Sequence, residues 1–169
     1  MQNPVRGLLH GGAAIAALAG TVYLAVVTRD DGLALIATLV FGSALIVMYG
    51  VSSVYHSVPW GEVWKRRLQR VDHAMIYLVV AGTWTPLAVA ALEGPAVWLS
   101  LGLVWAVAVI GIILKLTRPN ASTGLSVTLQ LVMGWAAVFW MPLIWSSLQA
   151  PSCTSQSAGS STRSGPSSS

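Results

Sequence analysis

Residues 33–56 read LALIATLVFGSALIVMYGVSSVYH, and this stretch decides the fold class. It belongs to a run of 30 residues without an acidic or basic (Lys, Arg) side chain, between Asp31 and Glu62. A helix needs about 20 predominantly apolar residues to cross roughly 30 Å of hydrocarbon. A spanning segment must also satisfy its own backbone hydrogen bonds, and the run lacks the alternating pattern of a barrel strand. The stretch therefore predicts a transmembrane helix.

The composition of the whole chain points the same way. Of its 169 residues, 55% are hydrophobic and 8% are charged, and the mean hydropathy is +0.72. Soluble domains carry about 25% charged residues, so this chain cannot cover a water-facing surface. The net charge of +4 does not indicate nucleic-acid binding, because the few basic residues flank apolar runs. The single cysteine, Cys153, excludes a disulfide framework and a CxxC metal motif.

Charged residues divide the chain into five apolar runs. We predict an all-α polytopic membrane protein whose five transmembrane helices cover the following segments: 10–28, 33–56, 71–92, 96–114 and 125–148. The first run could instead be a signal peptide, since Ala17-Leu18-Ala19 resembles a cleavage site, although the apolar run continues past it. These segments make up one transmembrane domain, 1–148.

The basic residues predict the orientation of the helices. Arg6 precedes the first span, a basic segment at 65–70 separates spans two and three, and Lys115 and Arg118 separate spans four and five. Basic residues are enriched in cytoplasmic loops, so the N-terminus is expected in the cytoplasm and the C-terminus outside. The remaining segment, 149–169, is rich in serine and lacks Leu, Ile, Val and aromatic residues, which predicts a disordered tail.

The rare polar side chains of the spans are expected at one end of the bundle. Ser52 and His56 are four residues apart and therefore share a helix face. Asp72 is expected to begin the third span just across the basic segment, at the depth of His56. His10 opens the first span on the same side, whereas His73 should point about 100° away from Asp72.

These residue types are compatible with metal chemistry. A neutral imidazole is a good zinc ligand, and a nearby carboxylate can bind the metal, orient the imidazole or hold a metal-bound water that acts as a nucleophile. Taken singly, His56 could be an interfacial histidine, Asp72 a helix cap and Ser52 an interhelical hydrogen-bond donor. Their convergence favours a functional site.

Four segments resemble the hemolysin III family, the bacterial branch related to the progestin and adiponectin receptors and more distantly to alkaline ceramidases. They are RGLLH at 6–10, SSVYHS at 52–57, RVDHAMIY at 70–77 and AGTWTP at 81–86. The resemblance covers about residues 4–148. It implies a seven-helix bundle in a bacterial plasma (inner) membrane, with a cytoplasm-facing metal site that holds zinc.

The resemblance also implies a role for each polar residue. His56 corresponds to a zinc ligand, Asp72 to a ligand or catalytic partner of the metal-bound water, and Ser52 to the accompanying catalytic hydroxyl; His10 is a secondary candidate ligand. The family's seventh-span His-x3-His has no counterpart, since His73 is the only other histidine. We therefore expect weak zinc binding or none, and a chain shortened by truncation or a shifted reading frame.

Three functions stay open at this point. The family is associated with cytolysis, so the first is a membrane protein of hemolysin III type. The second is a metal-dependent hydrolase acting on a lipid amide or ester, and the third is a sensor or receptor-like regulator of membrane state without chemistry. A Ser-His-Asp hydrolase is disfavoured because no Gly-x-Ser-x-Gly elbow precedes Ser52. The expected partners are the lipid bilayer and a lipid substrate or ligand, not nucleic acid.

Overall fold

A computed structural model of this chain describes residues 3–117 together with Thr128, Leu131, Gly134 and Trp135. Four long helices make up most of residues 3–117. The helices are α1 (Pro4–Val27), α2 (Gly32–Ser57), α3 (Glu62–Ala91) and α4 (Pro95–Thr117). Each is long and apolar enough to cross a membrane, and the described residues contain no strand. The prediction of a helical membrane protein is confirmed.

The fifth predicted helix, 125–148, lies almost entirely outside the described residues. The four residues described within it are helical and exposed. The predicted tail, 149–169, lies outside the described residues altogether.

Short connections make successive helices antiparallel neighbours. α1 packs on α2, α2 on α3 and α3 on α4. Asp31 ends the first connection and caps α2, because its carboxylate accepts hydrogen bonds of 3.0 Å from the amides of Leu33 and Ala34. Gly94 in the last connection has a φ of 59°, a left-handed conformation that glycine adopts without steric cost.

The third helix begins earlier than predicted. It was expected over 71–92 but starts at Glu62, so the basic segment 65–70 is helical instead of a loop. Glu62 supports this extension through ion pairs with Lys65 at 3.9 Å and Arg66 at 3.6 Å, spaced three and four residues apart. Asp72 therefore lies within the helix and does not cap it.

Small residues allow the helices to approach closely. A side chain added at Gly42 would overlap Thr21 of α1, and one added at Gly82 would overlap Ala44 of α2. Gly111 of α4 lies against the ring of Tyr77, which is 1% exposed. Lipid tails are as apolar as the helices, so packing of this kind takes the place of the hydrophobic effect in holding membrane helices together.

The best-buried part of the structure lies between α3 and α4. Its buried members are Tyr77, Ala81, Trp84, Ala88, Leu92, Val97, Val104 and Ala108. A polar link adds to this packing: the indole of Trp105 donates to the Thr85 hydroxyl at 3.1 Å, and that hydroxyl donates to the Ala81 carbonyl at 2.9 Å. Trp105 and Thr85 thus have partners away from water, whereas the buried indole nitrogen of Trp84 has none among the described residues.

The contact between Gly111 and Tyr77 can be tested with a matched pair of substitutions in α4. Gly111→Ala should lower the free energy of unfolding by about 1–3 kcal/mol, because the new methyl group overlaps the buried ring. Gly102→Ala should be neutral or stabilising by up to about 1 kcal/mol, since no atom lies within 4 Å of the added carbon. Unfolding in mixed micelles measures both, and equal effects would contradict the described packing.

Candidate polar site at the end of the bundle

The site is built on a hydrogen bond between α1 and α2. Nδ1 of His10 lies 2.7 Å from Oγ of Ser52. Ser52 is 3% exposed and His10 is half-buried, so the hydrogen bond lies largely in the interior between the two helices. The sequence predicts both residues as candidates, and the structure joins them directly.

A close approach of the two helices makes this hydrogen bond possible. Gly7 is buried against α2, where an added side chain would overlap the Ser57 hydroxyl. The Ser53 hydroxyl also donates to the Gly7 carbonyl at 2.8 Å. Because Gly7 and His10 are three residues apart, they share a face of α1, and the contact at Gly7 brings His10 onto α2.

Two rings lie beside the hydrogen bond, and a third lies beside one of them. The His10 ring lies edge-on to His56, with 6.0 Å between the centroids, and edge-on to Tyr49 at 5.8 Å. Tyr55 lies beside His56 at 4.7 Å. His56 is therefore held one turn beyond Ser52 on the face of α2 that meets α1, as the four-residue spacing predicts.

Asp72 approaches the same site from α3. Ala44 and Gly82 mark where α2 and α3 touch, and the two helices are antiparallel. Similar numbers of residues separate Ala44 from His56 and Gly82 from Asp72, so His56 and Asp72 lie at similar depth, as predicted. Asp72 is half-buried at this level of α3.

Two neighbouring residues lie outside the site. The sequence places His73 about 100° from Asp72, and its side chain is exposed. Thr83 lies three turns after Asp72 on α3, is exposed, and its hydroxyl donates to the Val79 carbonyl of its own helix at 2.8 Å. Thr83 therefore does not contribute to the polar site.

The described residues of the polar site supply fewer ligands than a zinc ion requires. A catalytic zinc site has three protein ligands and one open position. Within residues 3–117 and the four isolated described positions, no three His, Cys, Asp or Glu side chains come together closely enough to hold a metal ion. His56 and Asp72 can therefore be only part of a zinc site, and the described residues do not complete it.

The sequence alone did not identify Gly7 and Ser53 as parts of this site, whereas the seven-residue spacing of Tyr49 and His56 places Tyr49 on the same stripe of α2. Gly7 and Ser53 hold α1 on α2, and Tyr49 contacts the His10 ring. The available signal was the spacing of small residues at the start of α1 and the end of α2. Such spacings are common in membrane helices, so they become informative only when the register between α1 and α2 is known.

The hydrogen bond between His10 and Ser52 predicts a specific loss of stability. Ser52→Ala should lower the free energy of unfolding by about 1–2 kcal/mol, because it leaves the His10 nitrogen without its partner. Ser43→Ala on the same helix is the matched control; Ser43 is exposed, so this change should have an effect within about 0.5 kcal/mol of zero. Equal losses in the two variants, measured by denaturation in mixed micelles, would contradict the described contact.

Comparison with known proteins places the chain in a family. The family model "Haemolysin-III related" matches residues 1–160. Hemolysin-3 of Bacillus cereus is 29% identical over 139 residues, which cover 81% of this chain and 63% of that protein. Hemolysin-3 homolog of Bacillus subtilis strain 168 is 29% identical over 149 residues, 87% of this chain and 70% of that protein.

The match spans less than two thirds of the length of the Bacillus cereus relative. No solved structure is significantly similar to the chain. The family model nevertheless covers the four helices and every residue of the polar site. The chain is thus a multi-pass membrane protein that belongs to the hemolysin III family.

Proposed function

We propose that the protein acts within the membrane through the polar site formed by His10, Ser52, His56 and Asp72. The observation that carries this proposal is the hydrogen bond of 2.7 Å between His10 and Ser52, with the His56 ring 6.0 Å from that of His10. Ionisable side chains within membrane helices are costly, and such residues usually serve a function. These four residues come from three different helices.

The names of the relatives suggest a hypothesis for the overall activity of the protein. The two Bacillus proteins are named as hemolysins, and we extend cytolysis to this chain on that basis. We also propose that the end of the bundle carrying the polar site faces the cytoplasm of a bacterial plasma membrane. The support is the concentration of basic residues at 65–70 next to the site, as the distribution of charge across membranes predicts.

The described residues would supply only some of the ligands that a zinc ion needs. His56 would supply an imidazole ligand and Asp72 a carboxylate, while Ser52 holds His10 beside them. A bound zinc would polarise a substrate carbonyl or acidify a water. The incomplete donor set of the described residues predicts weak binding.

Hydrolysis of a lipid amide or ester is the second candidate function. The contact between Ser52 and His10 resembles a nucleophile with its base. Ser52 is only 3% exposed, however, which favours a role in positioning His10 over direct attack on a lipid. Under this alternative, His56 and Asp72 would carry the chemistry, and Ser52 would keep the adjacent ring in place.

Zinc affinity tests the site directly. In a competition titration with a colorimetric chelator, the purified full chain should bind zinc weakly and measurably. His56→Ala should weaken that binding by at least about tenfold, since it removes a ligand. His73→Ala is the matched control, because His73 is exposed on α3 and should leave the affinity unchanged.

Two outcomes would reject the zinc part of the proposal. Either an absence of measurable binding by the unmodified chain or equal affinities of the two variants would remove His56 as a ligand. Release of fatty acid from a lipid amide or ester, assayed on the same preparations, distinguishes the two candidate functions. A loss of release in His56→Ala supports the hydrolase, and no release by the unmodified chain rejects it.

A further inference from the structure

Basic side chains gather where α3 meets α4, on a different side of α3 from the polar site. Arg70 and Asp72 are two residues apart and so differ by about 200° around the helix. Asp72 belongs to the site shared with α2. Arg70 is half-buried, and the polar site does not account for a partly buried charge at this position.

An arginine continues the buried face of α3. That face consists of residues spaced three, four or seven apart: Ala74, Tyr77, Ala81 and Ala88. Counting back from Ala74 in steps of four gives Arg70 and then Arg66. Because side chains at this spacing share a helix face, Arg70 lies on the side of α3 that packs against α4, whereas Arg66 lies one turn further out, is exposed and pairs with Glu62.

A lysine continues the buried face of α4 in the same way. Its buried residues include Val104, Ala108 and Gly111, and the next step of four is Lys115, which is half-buried. Gly111 touches Tyr77, which fixes the register between the two helices. Lys115 lies one turn beyond this contact, and Arg70 lies two turns beyond it in the same direction, since the helices are antiparallel.

The cations in this cluster outnumber the acidic groups paired with them. Glu62 contacts Arg66 and Lys65. In residues 3–117, no carboxylate lies within 4.0 Å of the Arg70 or Lys115 side-chain nitrogens. Like charges at one end of a packed interface repel each other, so an anion between Arg70 and Lys115 would stabilise the arrangement.

The position of the basic N-terminal end of α3 relative to the membrane indicates which kind of anion would bind there. The 30 residues of α3 are about 45 Å long, whereas the hydrocarbon core is roughly 30 Å thick. The basic end of α3 therefore extends to the level of the lipid headgroups. Trp64, whose ring lies 5.3 Å from the Arg67 guanidinium, is exposed there, as expected of an interfacial tryptophan.

We propose that Arg70 and Lys115 form a binding site for the headgroup of an anionic phospholipid. Arginine binds a phosphate through two parallel hydrogen bonds, and lysine adds a compact charge. The acyl chains would lie along the apolar surface of α3 and α4, where Ile76 and Ile113 are exposed. This site is separate from the polar site of His10, Ser52, His56 and Asp72 and does not depend on its function.

Lipid binding by the purified full chain tests this site. Native mass spectrometry from detergent micelles would measure the affinity for phosphatidylglycerol and for phosphatidylcholine of the same acyl chains. The unmodified chain should prefer phosphatidylglycerol. Arg70→Gln and Lys115→Gln should each weaken phosphatidylglycerol binding roughly fivefold, the factor expected for the loss of one cation at an anionic surface.

Lys65→Gln is the matched control for Lys115→Gln. It removes the same charge from the same end of the molecule, but Lys65 lies about 140° from Arg70 around α3 and is paired with Glu62. It should change the affinity by less than about twofold, because a surface ion pair contributes little. Circular dichroism and a monodisperse gel-filtration peak establish that each variant is folded.

Three results would overturn the proposal. The first is equal affinity for the two lipids, and the second is an equal loss in Lys65→Gln and Lys115→Gln, which would indicate diffuse attraction instead of a site. The third is displacement of phosphatidylglycerol by an equal concentration of inorganic phosphate, which would indicate a site for a small anion. His56→Ala should bind phosphatidylglycerol like the unmodified chain, so failure of this proposal and failure of the zinc proposal are distinguishable.

Discussion

The close contact of α1 with α2 at Gly7 is the constraint on which the polar site depends. Gly7 has no side chain, so the Ser53 hydroxyl reaches its carbonyl and Ser57 packs over it. His10 lies on the same face of α1 and meets Ser52 there. A larger residue at Gly7 would push the helices apart and separate the two ends of that hydrogen bond.

The bilayer explains why small residues and hydrogen bonds hold this structure together. Between helices in lipid, apolar burial supplies no net driving force, and close packing and polar contacts take its place. The same pattern recurs where Gly111 meets Tyr77 and where Trp105 donates to Thr85. The pairing of His10 with Ser52 serves the same end, since an unpaired group in hydrocarbon is costly.

The sequence predicted the first four helices because hydropathy and charge report directly on the bilayer. It misplaced the start of α3, since Glu62 pairs with Lys65 and Arg66 and extends the helix through a segment that hydropathy assigns to a loop. The spacing of Ser52 and His56 predicted their shared face. It could not predict that His10 bonds to Ser52, because that contact depends on the register between two helices, which no single-helix pattern contains.

Cysteine cross-linking between α1 and α2 tests that register most directly. In a Cys153→Ser background, Gly11→Cys and Ser53→Cys should form a disulfide on mild oxidation, because an added carbon at Gly11 lies 3.1 Å from the Ser53 hydroxyl oxygen. Gly12→Cys paired with Ser53→Cys should not cross-link, since no neighbouring atom lies within 4 Å of an added carbon at Gly12. Equal cross-linking of the two pairs, or cross-linking of the second pair alone, would contradict the account.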